Sequence, residues 1–381
     1  MTGLAITEVS LSCSLGLDSA EACAAARAGL VRTSPVGTLN SANDPAMAKE
    51  TLDGIPPLVV HTTPVVSDGY TGLGKLIAIG RPALQDLLKK AGLVSTEHAA
   101  RTGLCLCVSD DHFVIRFGER LEPLGEQAFP SQQETRQEIA DQLAQRLSAT
   151  VEWVPHLQWA TASGRLGLLS ALAQASRWLK KGEVDRCIVG LLDSLVEPAV
   201  LQACANGRVL KSEAQPVGFM PGEAAAFLLV EQDIARAPGT TTLRLSALAH
   251  DRDFPYHDDE QQPLGRALSG VMQRALSSSQ AELKTIPPVV IADLNGTEAR
   301  AMDWGHALVH LRERYGEFDS SLWLPVESFG ETGAATGGVA MCMALEAARR
   351  GHLPGGGALL VLCAENGGRA AMLLDAQAAE L

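Results

Sequence analysis

The stretch SALAQASRWLKKG, residues 170–182, and the stretch AMCMALEAARRG, residues 340–351, read as one element written twice. Each is rich in Ala and Leu at helical spacing, ends in two cations and a glycine, and runs into an apolar segment. Lys180-Lys181 and Arg349-Arg350 put positive charge in the last helical turn, where it complements the helix dipole. Gly182 and Gly351 supply the left-handed residue that closes such a helix. Upstream the match continues at the same offset, Gly164 against Gly333 and Ala171 against Ala340. Downstream, AAFLL at 225–229 echoes AAMLL at 370–374 at a shorter offset, as if an insertion separates helix from strand in the first copy. Two similar βαβ-rich halves are the simplest account, over residues 1–235 and 236–381.

Short apolar runs at 103–108, 187–192, 225–230, 288–293 and 358–363 alternate with helical, Ala-rich intervals, the pattern of parallel strands covered by crossover helices. The class is therefore α/β, and a chain of 381 residues with 46% hydrophobic residues can bury a large core. The halves are expected to stack their sheets around buried helices that begin near Gly164 and Gly333. Segments 39–57, 110–135 and 251–263 are polar or Pro-containing and break the periodicity, so they read as loops or insertions.

Formal charge is −13, and Lys and Arg are scattered without a long basic run. That sign opposes a grip on nucleic-acid phosphates or anionic lipid, so neither partner is expected. The opening residues lack a basic region followed by an apolar stretch, and no apolar run approaches the ~20 residues of a membrane span. The expectation is a cytoplasmic protein. Eight cysteines, far apart and without a CxxC pair, suit reduced, buried thiols. His306 and His310 lie one helical turn apart with Asp303 a turn earlier, but without further ligands a solvated helix face is the better reading; HDDE at 257–260 reads as a solvated acidic turn. No metal is expected. No phosphate loop, dinucleotide fingerprint or Gly-x-Ser-x-Gly elbow occurs, so no cofactor is expected either.

The segment KGEVD at 181–185, followed by CIVGLLD at 187–193, resembles the stretch after the nucleophile helix in β-ketoacyl synthases of the thiolase superfamily. Other motifs of that family follow in order. VGFMPGEAAA at 217–226 is similar to its glycine-and-glutamate segment, and Asn295-Gly296-Thr297 with Asp303 to its first histidine loop. VESFGET at 326–332 resembles its lysine and second-histidine loop, and Gly367-Gly368 its last glycine turn. Together they span nearly the whole chain and imply a thiolase-like fold.

The resemblance implies a cysteine thiolate at a helix N-terminus, where the dipole lowers its pKa, and two histidines that stabilise the thioester oxyanion. Those residues are replaced here. Counting back from Gly182 puts Arg165 at the nucleophile position, whereas matching Ala162-Ser163-Gly164 to the thiolase pattern puts Thr161 there. The first histidine maps to Asn295, the second to Glu331, and the lysine to Glu327. The phenylalanine-containing gate has become Ala364-Glu365-Asn366. Neither Thr161 nor Ser163 has a sequence-evident base. Thr161, Ser163, Arg165, Asn295, Glu327 and Glu331 thus outline a vestigial pocket, in which Arg165 is expected to pair with Glu331 or Glu327 and to leave little open space.

These losses point to a non-condensing thiolase-fold protein, a pseudo-ketosynthase acting by protein binding as dimeric scaffold, adaptor or partner subunit. The resemblance implies a homodimer through the strand leading to the nucleophile position, where HLQWA at 156–160 stands. Degenerate thiolase-like proteins also occur beside secreted bacterial effectors, so the protein partner is an effector, an active synthase or an acyl carrier protein. The alternative is a synthase-like acyltransferase, or a subunit like the chain-length factors of fatty acid or polyketide metabolism, which also lack the cysteine. A third reading gives Glu331 or Glu327 the role of a base.

Overall fold

The computed structural model describes residues 3–36, 58–94, 100–118, 132–233, 239–258, 260–277 and 287–378. The expected loop at 39–57, the boundary between 235 and 236, residues 119–131 of the expected loop at 110–135, and Asp259 of the acidic turn lie outside them.

Twelve strands are described: β1 Leu4–Cys13, β2 Ser34–Val36, β3 Leu58–Val60, β4 Thr102–Cys107, β5 Leu157–Thr161, β6 Arg186–Ser194, β7 Glu223–Gln232, β8 Thr241–Arg252, β9 Val289–Ala292, β10 Ser321–Trp323, β11 Gly357–Cys363 and β12 Gly368–Ala378. Ten form one hydrogen-bonded series in the order β10-β9-β11-β12-β8-β1-β7-β6-β4-β5, and β2 pairs with β3 apart from it. The series repeats itself about its middle. On one side β4 runs parallel to β5 and β6, while β7 is antiparallel to β6 and to β1. On the other, β9 runs parallel to β10 and β11, while β12 is antiparallel to β11 and to β8. The two sets meet only through β1 and β8, from Leu4↔Leu245 to Ile6↔Leu243.

Strand alternation sorts the side chains into layers. Cys105 and Cys107 on β4, Val189 and Leu191 on β6, and Leu360 and Leu362 on β11 face a central core that holds the helices Gly167–Lys180 and Thr336–Arg349. Their neighbours Leu104, Leu106 and Ile188 face a second core under the helices Gly72–Lys90 and Gln132–Thr150. Leu359 and Val361 face a third under Arg266–Ser277 and Glu298–Tyr315. Two strand sets thus stack around two buried helices, with outer helices on both sides. The two central helices are so enclosed that Gly337 and Gly338 touch the opposing apolar layers: an added Cβ would meet Leu168 at 2.9 Å and Ala226 at 2.6 Å.

The two cation-and-glycine endings close these central helices. Lys181 and Arg350 are their C-caps, and Gly182 and Gly351 take φ of 66° at each end. Their starts also match: short 3₁₀ turns, Gly164–Leu166 and Gly333–Ala335, precede the helices, with φ of 57° at Gly164 and 53° at Gly333. The expected loop at 110–135 is partly helical, as His112–Phe117 and the start of Gln132–Thr150 fall within it. Gln132–Thr150 keeps polar residues such as Glu138, Asp141 and Gln142 in solvent, whereas His112–Phe117 is mostly apolar and buries Phe113.

Candidate functional site

The two 3₁₀ turns touch each other, and most of the residues singled out in the sequence lie around them. Arg165 sits in the first turn, 6% exposed. Its Nη2 lies 2.7 Å from Glu331 Oε1, its Nε 3.6 Å from Asp293 Oδ2, and its Nη1 donates to Thr336 Oγ1 at 3.0 Å. Glu331, two residues before Gly333, accepts a hydrogen bond from Asn295 Nδ2 at 2.8 Å on its other oxygen. Asn295 follows β9, and its own Oδ1 accepts from Thr297. Arg165, Asn295 and Glu331 therefore converge as a buried, hydrogen-bonded group.

Glu327 does not join them. It stands on the solvent face of the short helix Val326–Phe329, whose Ser328 and Phe329 turn inward instead. Thr161 and Ser163 bond each other, hydroxyl to hydroxyl, at 2.5 Å, on the first-turn side. Among the described residues neither hydroxyl is hydrogen-bonded to a carboxylate or an imidazole.

The network extends further than the motifs suggested. Arg300 holds Asp293 at 3.0 Å and Glu365 at 2.5 Å, and His257 Nε2 lies 3.2 Å from Glu365. Beneath it, Arg369 pairs with Asp303 at 2.9 Å, Tyr256 donates its hydroxyl to Asp303 at 2.8 Å, and the Arg369 guanidinium stacks 4.1 Å from the Tyr256 ring. Asp303 is thus an internal structural acceptor, not the neighbour of a His306/His310 metal face, and no group able to hold a metal ion occurs among the described residues. Arg300, Arg369 and Asp303 are at most 1% exposed, so each charge depends on its partner.

The electrostatics follow from burial set against pairing. Burial and neighbouring Arg300 pull Arg165 down, but Glu331, Asp293 and Glu365 together outweigh them and hold it above the usual arginine range. Burial would raise Glu365, yet Arg300, His257 and Arg165 hold it well below the usual carboxylate range. Both shifts favour the charged forms of Arg165 and Glu365.

A cavity of about 200 Å³ reaches Arg165 from the other side, past Gly164, Gly333 and Asp193. The space is open where little open space was expected: Arg165 pairs with Glu331 and Asp293 and still lines the cavity. Its polar lining is acidic: Asp110, Asp111, Asp193 and Glu197, with Arg136 paired to Asp111. Asp193 accepts from the amides of Ala334 and Ser194, both at 2.8 Å, and burial pushes its carboxyl up to about 6. In the sequence Asp193 enters only as the last residue of the CIVGLLD motif. Only the approach of Gly333, whose added Cβ would meet Asp193 Oδ2 at 2.1 Å, reveals it as the anchor of the second turn.

All eight cysteines are buried and free. The one nearest the first turn, Cys107 on β4, lies under the helix start with its Sγ 3.5 Å from the Gly164 carbonyl, and burial pushes its thiol up to about 12.

No family model and no curated protein matches the sequence. Solved structures do match in fold. A type II polyketide synthase acyl-carrier protein in complex with its ketosynthase, bound to the hexaketide, matches at TM-score 0.72 and 13% identity over 98% of this chain and 99% of that one. The ketosynthase ApeO in complex with its chain length factor ApeC, from Xenorhabdus doucetiae, gives 0.69 and 13% over 99% and 98%. The ishigamide ketosynthase/chain length factor gives 0.64 and 20% over 98% and 99%. The fold is that of the thiolase-like ketosynthases.

Proposed function

We propose that this protein is a non-condensing, ketosynthase-fold subunit that acts by binding other proteins, as the partner of an active thiolase-fold chain in acyl-carrier-linked metabolism. The observation that carries the reading is the buried Arg165–Glu331 ion pair, at positions that the resemblance gives, in one of its two registers, to the nucleophile and to the second histidine. An arginine is no nucleophile, and a carboxylate opposes the oxyanion and enolate that the reaction develops. The fold is fully kept around this replaced chemistry, as expected when its surface carries the function.

The edge of the strand series supports pairing. Within the series β5 bonds only to β4; on its outer side the Gln137 side chain donates to the Ala160 carbonyl at 3.0 Å, and Leu157 and Trp159 are half-exposed along the strand. A second copy or a different thiolase-fold chain would continue the series across that edge. Among the structurally similar proteins, one ketosynthase is found in complex with its chain length factor. An adaptor for a secreted effector would use the same retained surface.

Isolation from the native cell under mild conditions, followed by native mass spectrometry, tests the reading. A stoichiometric complex with a second thiolase-fold chain or an acyl carrier protein is expected. A chain that purifies alone, stays single at micromolar concentration and turns over a thioester would overturn it.

A further inference from the structure

Away from the ion network, the helices Ser19–Arg27 and Thr336–Arg349 and the segment around β10 enclose a second cavity of about 250 Å³. Its floor is apolar, built from Ala26, Trp323, Phe329, Met343 and Ala347. Its rim carries Arg27, Arg350 and His352 against the exposed carboxylate of Glu327. Glu346 also borders it but is engaged elsewhere, with Ser19 Oγ at 3.0 Å and Arg349 at 3.6 Å.

The two guanidinium groups are not consumed by the structure. Neither Arg27 nor Arg350 makes an ion pair among the described residues, although each stands at a helix end that invites a cation. The last carbonyls of both helices are already taken by backbone amides: Ala28 and Gly29 close the first, Gly351 and His352 the second. Arg350 is held in place by donating to the Ala20 carbonyl at 3.2 Å, which leaves its other nitrogens free for a ligand. An apolar cavity with surplus cations at its mouth is complementary to a molecule with one anionic head and an alkyl tail. At about 250 Å³ it falls just below the roughly 300–1,000 Å³ of sites for drug-sized ligands, so the tail must be short.

We propose that this cavity binds a monoanionic amphiphile of the alkyl carboxylate class, tail against Trp323 and Met343, head between Arg27 and Arg350. The site is separate from the Arg165 network, so its failure would leave the partner-subunit reading as it stands.

The test titrates octanoate into the full chain and follows tryptophan fluorescence, with octylamine as the cation of equal tail length. Saturable binding of octanoate is expected, with little response to octylamine. Trp323→Phe should remove the signal. Arg27→Gln and Arg350→Gln, both at exposed positions that leave the fold intact, should each weaken binding about tenfold, the loss of one charge-assisted hydrogen bond. No saturable binding, equal binding of octylamine, a signal that survives Trp323→Phe, or unchanged affinity in both arginine variants would overturn the proposal.

Discussion

Arg165 Nη2 and Glu331 Oε1 lie 2.7 Å apart, although their residues belong to loops before different central helices and stand far apart in sequence. The pair ties the two turns together where both side chains are buried, so removing the cation leaves Glu331 and Asp293 buried with less compensation. Arg165→Ala is expected to lower stability by about 3–5 kcal/mol in chemical unfolding. Arg165→Met combined with Glu331→Leu should recover most of it, because an apolar pair of similar volume needs no mutual charge. A single variant with wild-type stability would sink the structural role.

Gly333 has φ of 53°, and a Cβ there would meet Asp193 Oδ2 at 2.1 Å. Gly333→Ala therefore strains the backbone and pushes the carboxyl off the Ala334 amide. A clear fall in melting temperature is expected. Gly182→Ala, with similar positive φ but open space around it, should fall less, since it keeps only the backbone term.

Two buried groups oppose each other in pH. Burial raises Asp193 to about 6 from an ordinary 3.8, so its contribution is present at low pH and is lost as pH rises through about 6. Burial lowers His61 to about 4 from an ordinary 6.5, so its contribution is present above 6.5 and is lost as pH falls toward about 4. The wild-type dependence between these values should be shallow. Asp193→Asn should leave stability rising with pH across this window, and His61→Gln should leave it falling. Unfolding curves at a series of pH values read both slopes, and parallel curves for all three proteins would refute the assignment.

The sequence made the frame legible because its signals are local. The residues of KKG and RRG sit next to one another, and apolar runs at 103–108, 187–192 and 358–363 fall on β4, β6 and β11. Arg165, Asn295 and Glu331 were legible through motif order. Glu327 was not, since one residue of helical rotation decides whether it faces Arg165 or solvent, and Ser328 and Phe329 take the inward places. Arg300 and Arg369 escaped, and Glu365 was read only as part of the replaced gate, because their partners lie far away in sequence, where no spacing rule connects a cation to its carboxylate.

The place of β5 at the end of the strand series gives a prediction about assembly. Leu157 is half-exposed at the start of that strand, so Leu157→Asp puts a charge on the edge with little loss of core. Light scattering should show the mass of a pair fall toward that of one chain, with melting temperature at high dilution nearly unchanged. A wild-type chain that is single at all concentrations would remove this strand from the assembly.

The chemical prediction follows from where the thiols are. Acylation needs a thiolate in contact with a thioester, yet Cys107, the cysteine nearest the first turn, is buried under the helix start: a Cβ on Gly167 would meet its Sγ at 1.7 Å. With its thiol pushed up to about 12, the thiolate is a trace species at neutral pH. Thr161 and Ser163 offer hydroxyls bonded to each other, without a base to activate either. The intact protein should therefore keep its mass when incubated with acyl and malonyl thioesters, and native alkylation should leave the cysteines unmodified. The acidic cavity beside Arg165 is the place where this expectation is most exposed to failure, since Asp193, raised to about 6, has the pKa of a usable base. Stable acylation mapped to residues 161–165, or turnover abolished by Glu331→Gln or Asp193→Asn in a folded variant, would make the protein an enzyme of altered chemistry. An unchanged mass with all four proteins, wild type and the Arg165→Met, Glu331→Gln and Asp193→Asn variants, is the outcome expected of the non-condensing reading.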